Sequence, residues 1–482
     1  MYKIMPFRYE RLNNRKIFLS GEDGEYIIIP EISFKKLISY DLGKNSYDYL
    51  NLKSKNIIVE DDLESVIRMV AIKYRTKKSF LFDFTSLHMV VPTLCCNCKC
   101  VYCQVSSKNQ QESKYYMNRE TAQKVVETIF KSPSKYIKIE FQGGEPLMNI
   151  DIVKYIINYA KELNRVFRKN IQFIVCTNMT LIDREILLYL KENGVLISTS
   201  LDGNKAIHSA NRVMKNGGNS YDIWSDKIQL ANEVIGTGQI SALMTTTKNS
   251  LHLIKEIIDE YVFWGFNYIF LRSLNPYGMA RKNENEIGYT IDEYIGYYKK
   301  SLEYIIELNL AGKYIIEGYA NILLKKILTP FSTGFVDLQS PSGVGIGGVI
   351  YDYNGNVYAS DEGRMLAAMG DNKFLIGNVN NQTYEEIFGG EYLVSLINKS
   401  CCETLPGCSL CAYMPYCGAD PVRSYAETGD IIGNRKISQM CKKNKSIIQY
   451  LFDFIEDNDP DIMDVFWSWI TCRPLREIKA AN

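Results

Sequence analysis

Histidine is nearly missing from this chain: three residues in 482, at 88, 208 and 252, offer no metal-ligand spacing and read as structural or exposed. Net charge is nearly missing too. Lys and Arg number 56 against 55 Asp and Glu, which leaves no basic field to hold nucleic acid or an anionic membrane by electrostatics alone. No stretch reaches the roughly 18 uncharged apolar residues of a membrane span. The segment Met1 to Leu12 carries Lys3, Arg8, Glu10 and Arg11 where a signal peptide needs an apolar core. Fixed-period repeats and low-complexity tracts are also absent. The expectation is a cytoplasmic protein with no nucleic-acid and no membrane partner.

What is abundant is cysteine. Thirteen in a cytoplasmic chain point to metal rather than to disulfides, because cytosolic thiols are kept reduced. Eight lie in two groups, five at 95–103 and three at 408–417. The length suits two to four domains that bury a full core without staples.

Residues 1–78 read as a small winged-helix-like module. Lys16 to Ser20 and Glu25 to Pro30 flank Gly21-Glu22-Asp23-Gly24 as a hairpin, and Asp62 to Tyr74 carries an apolar stripe at Leu63, Val66, Ile67, Val70 and Ile72. From Leu87 to Arg272, strand-length apolar runs alternate with amphipathic helices, the signature of β-α units on a parallel sheet. Six strands are expected at 87–93, 137–142, 171–177, 195–200, 240–247 and 268–272. The fold class is therefore α/β, a partial (β/α)6 TIM-like barrel over residues 79–290. A helical bridge at 291–340, a cysteine-rich domain at 341–450 and a helical tail at 451–482 complete the expected organisation.

In Cys95-Cys96-Asn97-Cys98-Lys99-Cys100-Val101-Tyr102-Cys103, only Cys96, Cys100 and Cys103 give the spacing C-x3-C-x2-C, because Lys99 breaks the register from Cys95. Three thiolates on one loop can bind three irons of a cubane and leave the fourth iron open. A zinc loop, or a cluster used only for electron transfer, has the same spacing and remains an alternative at this point.

This spacing, with Tyr102 before the last cysteine, resembles the signature of the radical SAM superfamily. The family's other elements stand in order at successive strand ends. Gly143-Gly144-Glu145-Pro146 is similar to the element that receives the amino group of S-adenosylmethionine. Thr177-Asn178 ends the third strand beside the cofactor, Ser200 and Asp202 suit ribose hydroxyls, and Arg212 lies where relatives place a basic residue near the methionine carboxylate. The resemblance implies a 4Fe-4S cluster, S-adenosylmethionine and an external one-electron reductant such as ferredoxin or flavodoxin. It also implies hydrogen abstraction by a 5′-deoxyadenosyl radical.

Cys408-x2-Cys411-x5-Cys417 followed by Cys441 resembles part of the SPASM domain, which implies a second, auxiliary 4Fe-4S cluster; four thiolates at this spacing also suit zinc. Where that family takes ligands for a further, inner cluster, this chain has Gly343 to Gly348, Ser360-Asp361-Glu362 and Asp420-Pro421, without a cysteine. Asp361 and Glu362 are therefore candidates to take a proton or contact substrate. Cys176 reads as a buried core thiol.

Met5-Pro6-Phe7-Arg8, Thr85-Ser86-Leu87-His88, Gln104-Val105-Ser106 and Ser360 to Leu366 are similar to the B-component maturase of the His-Xaa-Ser peptide system. That similarity implies a short ribosomally made precursor peptide as substrate, with the N-terminal module as its recognition element. Sulfatase-type oxidation of a protein and a non-enzymatic electron carrier are the competing functions.

Overall fold

Leu87–Thr93 pairs in parallel with Tyr136–Gly143, followed outward by Asn170–Cys176, Val195–Ser200 and Ile240–Leu243. This arrangement is seen in a computed structural model that describes residues 2–12, 15–60 and 62–477. The crossover helices include Arg119–Phe130, Ile150–Phe167, Arg184–Glu192 and Ser220–Ile235. Asn118, Asp183 and Asn219 cap three of them, each side chain accepting from a backbone N–H of the first turn. Ala122, Val125, Val126, Ile129 and Phe130 are buried as their spacing predicts. On Ile150–Phe167 the fully buried residues are Val153, Ile156, Ile157 and Ala160; of the face that helical spacing predicts, Ile152, Tyr155, Ile156, Tyr159 and Leu163, only Ile156 is fully buried and the others pack partly against the core. Each fully buried Val or Ile contributes about 1.5–3 kcal/mol relative to exposure.

The partial barrel is present, with two differences at its edges. The sixth strand is short: Tyr268–Ile269 pairs in parallel with Ile316–Glu317, and its link to the fifth is Thr246 N donating to Arg272 O at 2.9 Å. The fifth strand stops at Leu243 because Thr245 N turns to donate to the Asp202 carboxylate at 3.2 Å. At the opposite edge Gly348–Tyr351 adds in parallel to Leu87–Thr93. The glycines at 343–348 thus form a loop leading into a strand, and Asn354-Gly355 turns the following hairpin with Gly355 at φ 85°.

The N-terminal hairpin, Lys16–Gly21 with Tyr26–Pro30, gains an unexpected third strand, Phe7–Arg11. This sheet shares its core with the cysteine-rich domain: the Phe18 ring lies 5.0 Å from that of Tyr413 and 4.7 Å from that of Phe452. Helix Leu63–Lys77 forms where expected, yet none of its residues is buried; Ile67 is 49% and Ile72 62% exposed. Periodicity located the helix but not a partner for its apolar stripe.

Helices Ile291–Leu310 and Gly318–Leu328 build the bridge. Gln439–Asp457 runs unbroken across the boundary expected at 450, and Pro460–Thr471 follows. Residues 478–482 of the expected tail lie outside the described residues. No helix among the described residues is long and apolar enough to cross a membrane.

Candidate active site

The cysteine loop leaves the first barrel strand and is stitched at its base to the end of the second. Gly144 N donates to Thr93 O at 2.9 Å and Glu145 N to Cys95 O at 2.8 Å. The approach is so close that a Cβ on Gly144 would lie 2.1 Å from Cys95 O and 2.5 Å from Leu94 O. Gly143 sits at φ 123°, where side chains are strained. The result is one cavity of about 230 Å³ walled by Cys96, Cys100, Cys103 and Tyr102 from the loop and by Gly143 and Gly144 from the second strand. Thr177, Asn178, Ser200 and Arg212 close it. Cys98 is a fourth thiol on this wall. It stands 3.4 Å from Met214 Sδ, and Asn178 Nδ2 lies 3.5 Å from its sulfur and 3.9 Å from that of Cys96.

Four expected cofactor contacts, Tyr102, Glu145, Pro146 and Asp202, are taken up inside the protein. Glu145 is fully buried, accepting from Thr177 Oγ1 at 2.7 Å, Asn178 N at 2.8 Å and Leu147 N at 3.1 Å. Burial pushes its carboxyl up to about 7, against those three donors. Pro146 starts the short turn Pro146–Asn149 behind it and is buried. Asp202, also fully buried, accepts from Arg212 at 3.0 and 3.2 Å, from Tyr102 OH, and from Asn211 Nδ2 at 3.3 Å. The Arg212 guanidinium in turn lies 5.3 Å from the Tyr102 ring centre. Asp202 thereby ties cysteine loop, fourth strand and following helix together. Asp202→Ala strands a buried guanidinium, so denaturant unfolding is expected to show a loss of about 3–5 kcal/mol.

The residues on this cavity fit a cluster and cofactor: sulfur donors on one wall, backbone approach that only glycine permits on the next, and small polar groups on the third. Among the described residues no three His, Cys, Asp or Glu side chains come together as ligands of a single ion.

Cys408, Cys411, Cys417 and Cys441 also gather, with Cys441 N capped by Ser438 Oγ at 3.2 Å in the first turn of Gln439–Asp457. Burial lifts the Cys411 thiol to about 11, and Cys417 and Cys441 are near enough to add to the effect. Cys402 joins them as a fifth thiol, buried beside Cys408, while Cys401 turns back to Ile397 O at 3.7 Å. Lys326 Nζ reaches Cys417 O at 3.2 Å; burial lowers its ammonium to about 8.

Gln142, Leu243, Arg272 and Asp361 are shared between the cysteine-lined cavity and a larger one of about 410 Å³. Here the structure brings together Gly343, Ser360, Asp361, Glu362 and Asp420, the positions where cysteines of an inner cluster were sought. It adds Glu140 and Asp337, which sequence reasoning missed. Cys176 corrects the expectation of a core thiol: it lines the cysteine-side cavity, with Sγ 3.4 Å from Glu140 Oε1. The usable signal was alternation. In Tyr136–Gly143 the buried Ile137, Ile139 and Phe141 face the helices, which turns Glu140 and Gln142 inward.

Burial raises Asp337 and Asp361 to about 6 and Asp420 to about 7. Raised carboxyls make the folded chain bind more protons than the unfolded one between the two values, so this contribution to stability is lost as pH rises through the folded values. The double variant Asp337→Asn/Asp420→Asn is expected to lose less stability than the parent between about pH 5 and about pH 8. Urea midpoints at the two pH values check this.

The radical SAM superfamily matches residues 90–259, the stretch that carries every strand-end element above. The chain carries a radical SAM domain. The radical SAM family uses a 4Fe-4S cluster and S-adenosylmethionine, and these are its cofactors. The cysteine-type anaerobic sulfatase-maturating enzyme of Clostridium novyi is 24% identical over 373 residues, covering 74% of this chain and 94% of its own. Native anSMEcpe with bound AdoMet superposes with a TM-score of 0.64 at 20% identity, over 77% of this chain and 98% of that one. Streptococcus suis SuiB bound to precursor peptide SuiA gives 0.51 at 12% identity, over 90% and 98%. The fold is thus shared with both, over most of each chain.

Proposed function

We propose that this radical SAM enzyme abstracts hydrogen from a ribosomally made peptide and so installs a post-translational modification. The observation that carries the reading is that elements from the first four strand ends meet on one cavity, which shares a wall with a second large enough for a peptide side chain. Cys96, Cys100 and Cys103 would hold the first cluster, with Gly143, Gly144, Thr177, Asn178, Ser200 and Arg212 seating S-adenosylmethionine. Cys408, Cys411, Cys417 and Cys441 would hold the auxiliary one. When bound and reduced, these groups supply a 5′-deoxyadenosyl radical able to take a hydrogen atom from substrate.

The chain's own residues do the rest. Tyr102, Asp202 and Arg212 fix the loop against the fourth strand. Glu145 fixes the third strand against the glycine turn, leaving backbone and hydroxyl groups to face the ligand. Asp361 faces both cavities, and its raised carboxyl is suited to exchange a proton near neutral pH.

Two features favour a peptide. SuiB is bound to a precursor peptide, and the edge strand Tyr26–Pro30 borders a groove walled by Asn51, Lys55, Phe452 and Glu456, where an extended segment can add as a further strand. Because the module shares its core with the cysteine-rich domain, substitutions along that edge test recognition better than removal of residues 1–78. The similarity to sulfatase-maturating enzymes favours a second reading, oxidation of a protein side chain.

Co-expression with candidate short precursor peptides, followed by mass fragmentation, tests the reading. A peptide altered at a defined residue, by a loss of two hydrogens or by epimerisation, is expected. An unmodified and unepimerised peptide, with 5′-deoxyadenosine still formed, overturns the peptide substrate.

A further inference from the structure

Asp337, Glu362 and Asp420 reach one place from three segments: the turn Val336–Leu338, the first turn of Asp361–Ala368, and the N-cap of Pro421–Thr428. All three wall both the 410 Å³ cavity and a smaller one beside it. Asp420 accepts from Arg423 N at 2.8 Å as a helix cap. Among the described residues, Asp337 and Glu362 make no ion pair and no side-chain hydrogen bond.

The cations on these walls, Arg272, Arg281, Arg423 and Lys443, pair with none of the three carboxylates among the described residues. Arg423 is held by Glu427 at 2.6 Å and Asn275 at 2.7 Å. Lys443 lies over the Tyr319 ring at 5.1 Å, with Ser273 Oγ at 3.5 Å, and pairs with none of the three carboxylates. Arg272 lines the side shared with the cysteine cavity. The smaller cavity thus sets four carboxylates, Glu284, Asp337, Glu362 and Asp420, against two cations without an ion pair, Arg281 and Lys443.

A second, independent observation points to a ligand. Tyr277 is fully buried on the same wall, and its hydroxyl has no hydrogen-bond partner. A buried hydroxyl left unpaired is unfavourable until something fills it. Tyr289 and Tyr319 stand beside it and give the approach an aromatic lining. Carboxylates at the end of an aromatic passage match a long amphipathic cation, whose methylenes lie on rings while its head meets charge.

We propose that this pocket receives a lysine or arginine side chain of the substrate peptide, the stem along Tyr289 and the cation among Asp337, Glu362 and Asp420, with the Tyr277 hydroxyl as its neutral partner. This rests on the peptide-substrate reading above. It goes beyond it by naming the residue class that positions the peptide, apart from the residue that is modified.

The test uses cluster-loaded full-length enzyme with S-adenosylmethionine and the probes dansyl-Gly-X-Gly-amide, where X is lysine, arginine, Nε-acetyl-lysine, norleucine or glutamate. Fluorescence anisotropy is expected to give lysine and arginine probes at least tenfold tighter binding than norleucine or acetyl-lysine. Asp337→Asn/Asp420→Asn, which keeps a capping side chain at 420, is expected to remove most of that preference. Changing the probe leaves the protein intact, so the inference stays testable if the variant folds poorly. Equal binding of lysine and norleucine probes overturns it, as does binding of none. Formation of 5′-deoxyadenosine is followed in the same samples. A pocket that fails while cofactor is cleaved sinks this inference alone. A lysine preference in an enzyme that modifies no peptide supports the pocket and sinks the peptide-maturase reading.

Discussion

Replacing Cys96, Cys100 and Cys103 with alanine is expected to abolish 5′-deoxyadenosine formation, at least about a thousandfold, or roughly 4 kcal/mol of barrier. Iron should fall by about half, because the thiols at 408–441 remain to bind a second cluster. Cys95→Ala and Cys98→Ala provide the contrast. Five cysteines crowd this loop and Cys98 shares the cavity wall, yet only the 96, 100, 103 register has the required spacing. Both single variants should keep activity within a few fold of the parent. Equal loss in Cys98→Ala would mean that proximity, not spacing, selects the ligands. Iron and acid-labile sulfide analysis beside the product assay separates these cases.

Gly144→Ala is expected to have the next largest effect. Its Cβ would meet the carbonyls of Cys95 and Leu94 at 2.1 and 2.5 Å, and these are backbone atoms that cannot rotate away. Either the cysteine loop shifts or the second strand does. Overpacking of this kind costs about 1–3 kcal/mol, and a shift of the loop moves the sulfurs that must face the cofactor. Unfolding should therefore occur at lower denaturant, and S-adenosylmethionine affinity should fall at least tenfold. A variant with parental affinity would show that the glycine is needed only for the turn. Gly194→Ala makes a useful control: its φ is 65°, but nothing lies within 4 Å of the added carbon, so it should affect stability alone.

Local chemistry was legible in the sequence. The glycine turn and the order of strand ends needed only spacing and periodicity, and they meet the cysteine loop on one cavity. What was not legible depended on side-chain direction. Glu145 and Asp202 stand at the expected strand ends, but three-dimensional packing turns both inward, one to Thr177 and Asn178, the other to Arg212 and Tyr102. The acidic cavity was half visible: Asp361, Glu362 and Asp420 attracted notice as absent cysteines. Asp337 and Glu140 come from distant segments that only the folded chain brings together. Helix Leu63–Lys77 shows the opposite limit, since a regular apolar stripe guarantees no burial.

The central claim is an open cluster on Cys96, Cys100 and Cys103 that takes S-adenosylmethionine directly. Electron paramagnetic resonance of the dithionite-reduced protein, with and without S-adenosylmethionine, tests it most directly. The account predicts two reduced-cluster signals, of which one shifts on adding the cofactor and is missing from the Cys96→Ala/Cys100→Ala/Cys103→Ala variant. A spectrum indifferent to S-adenosylmethionine, or a protein that carries zinc and no cluster signal, would contradict it.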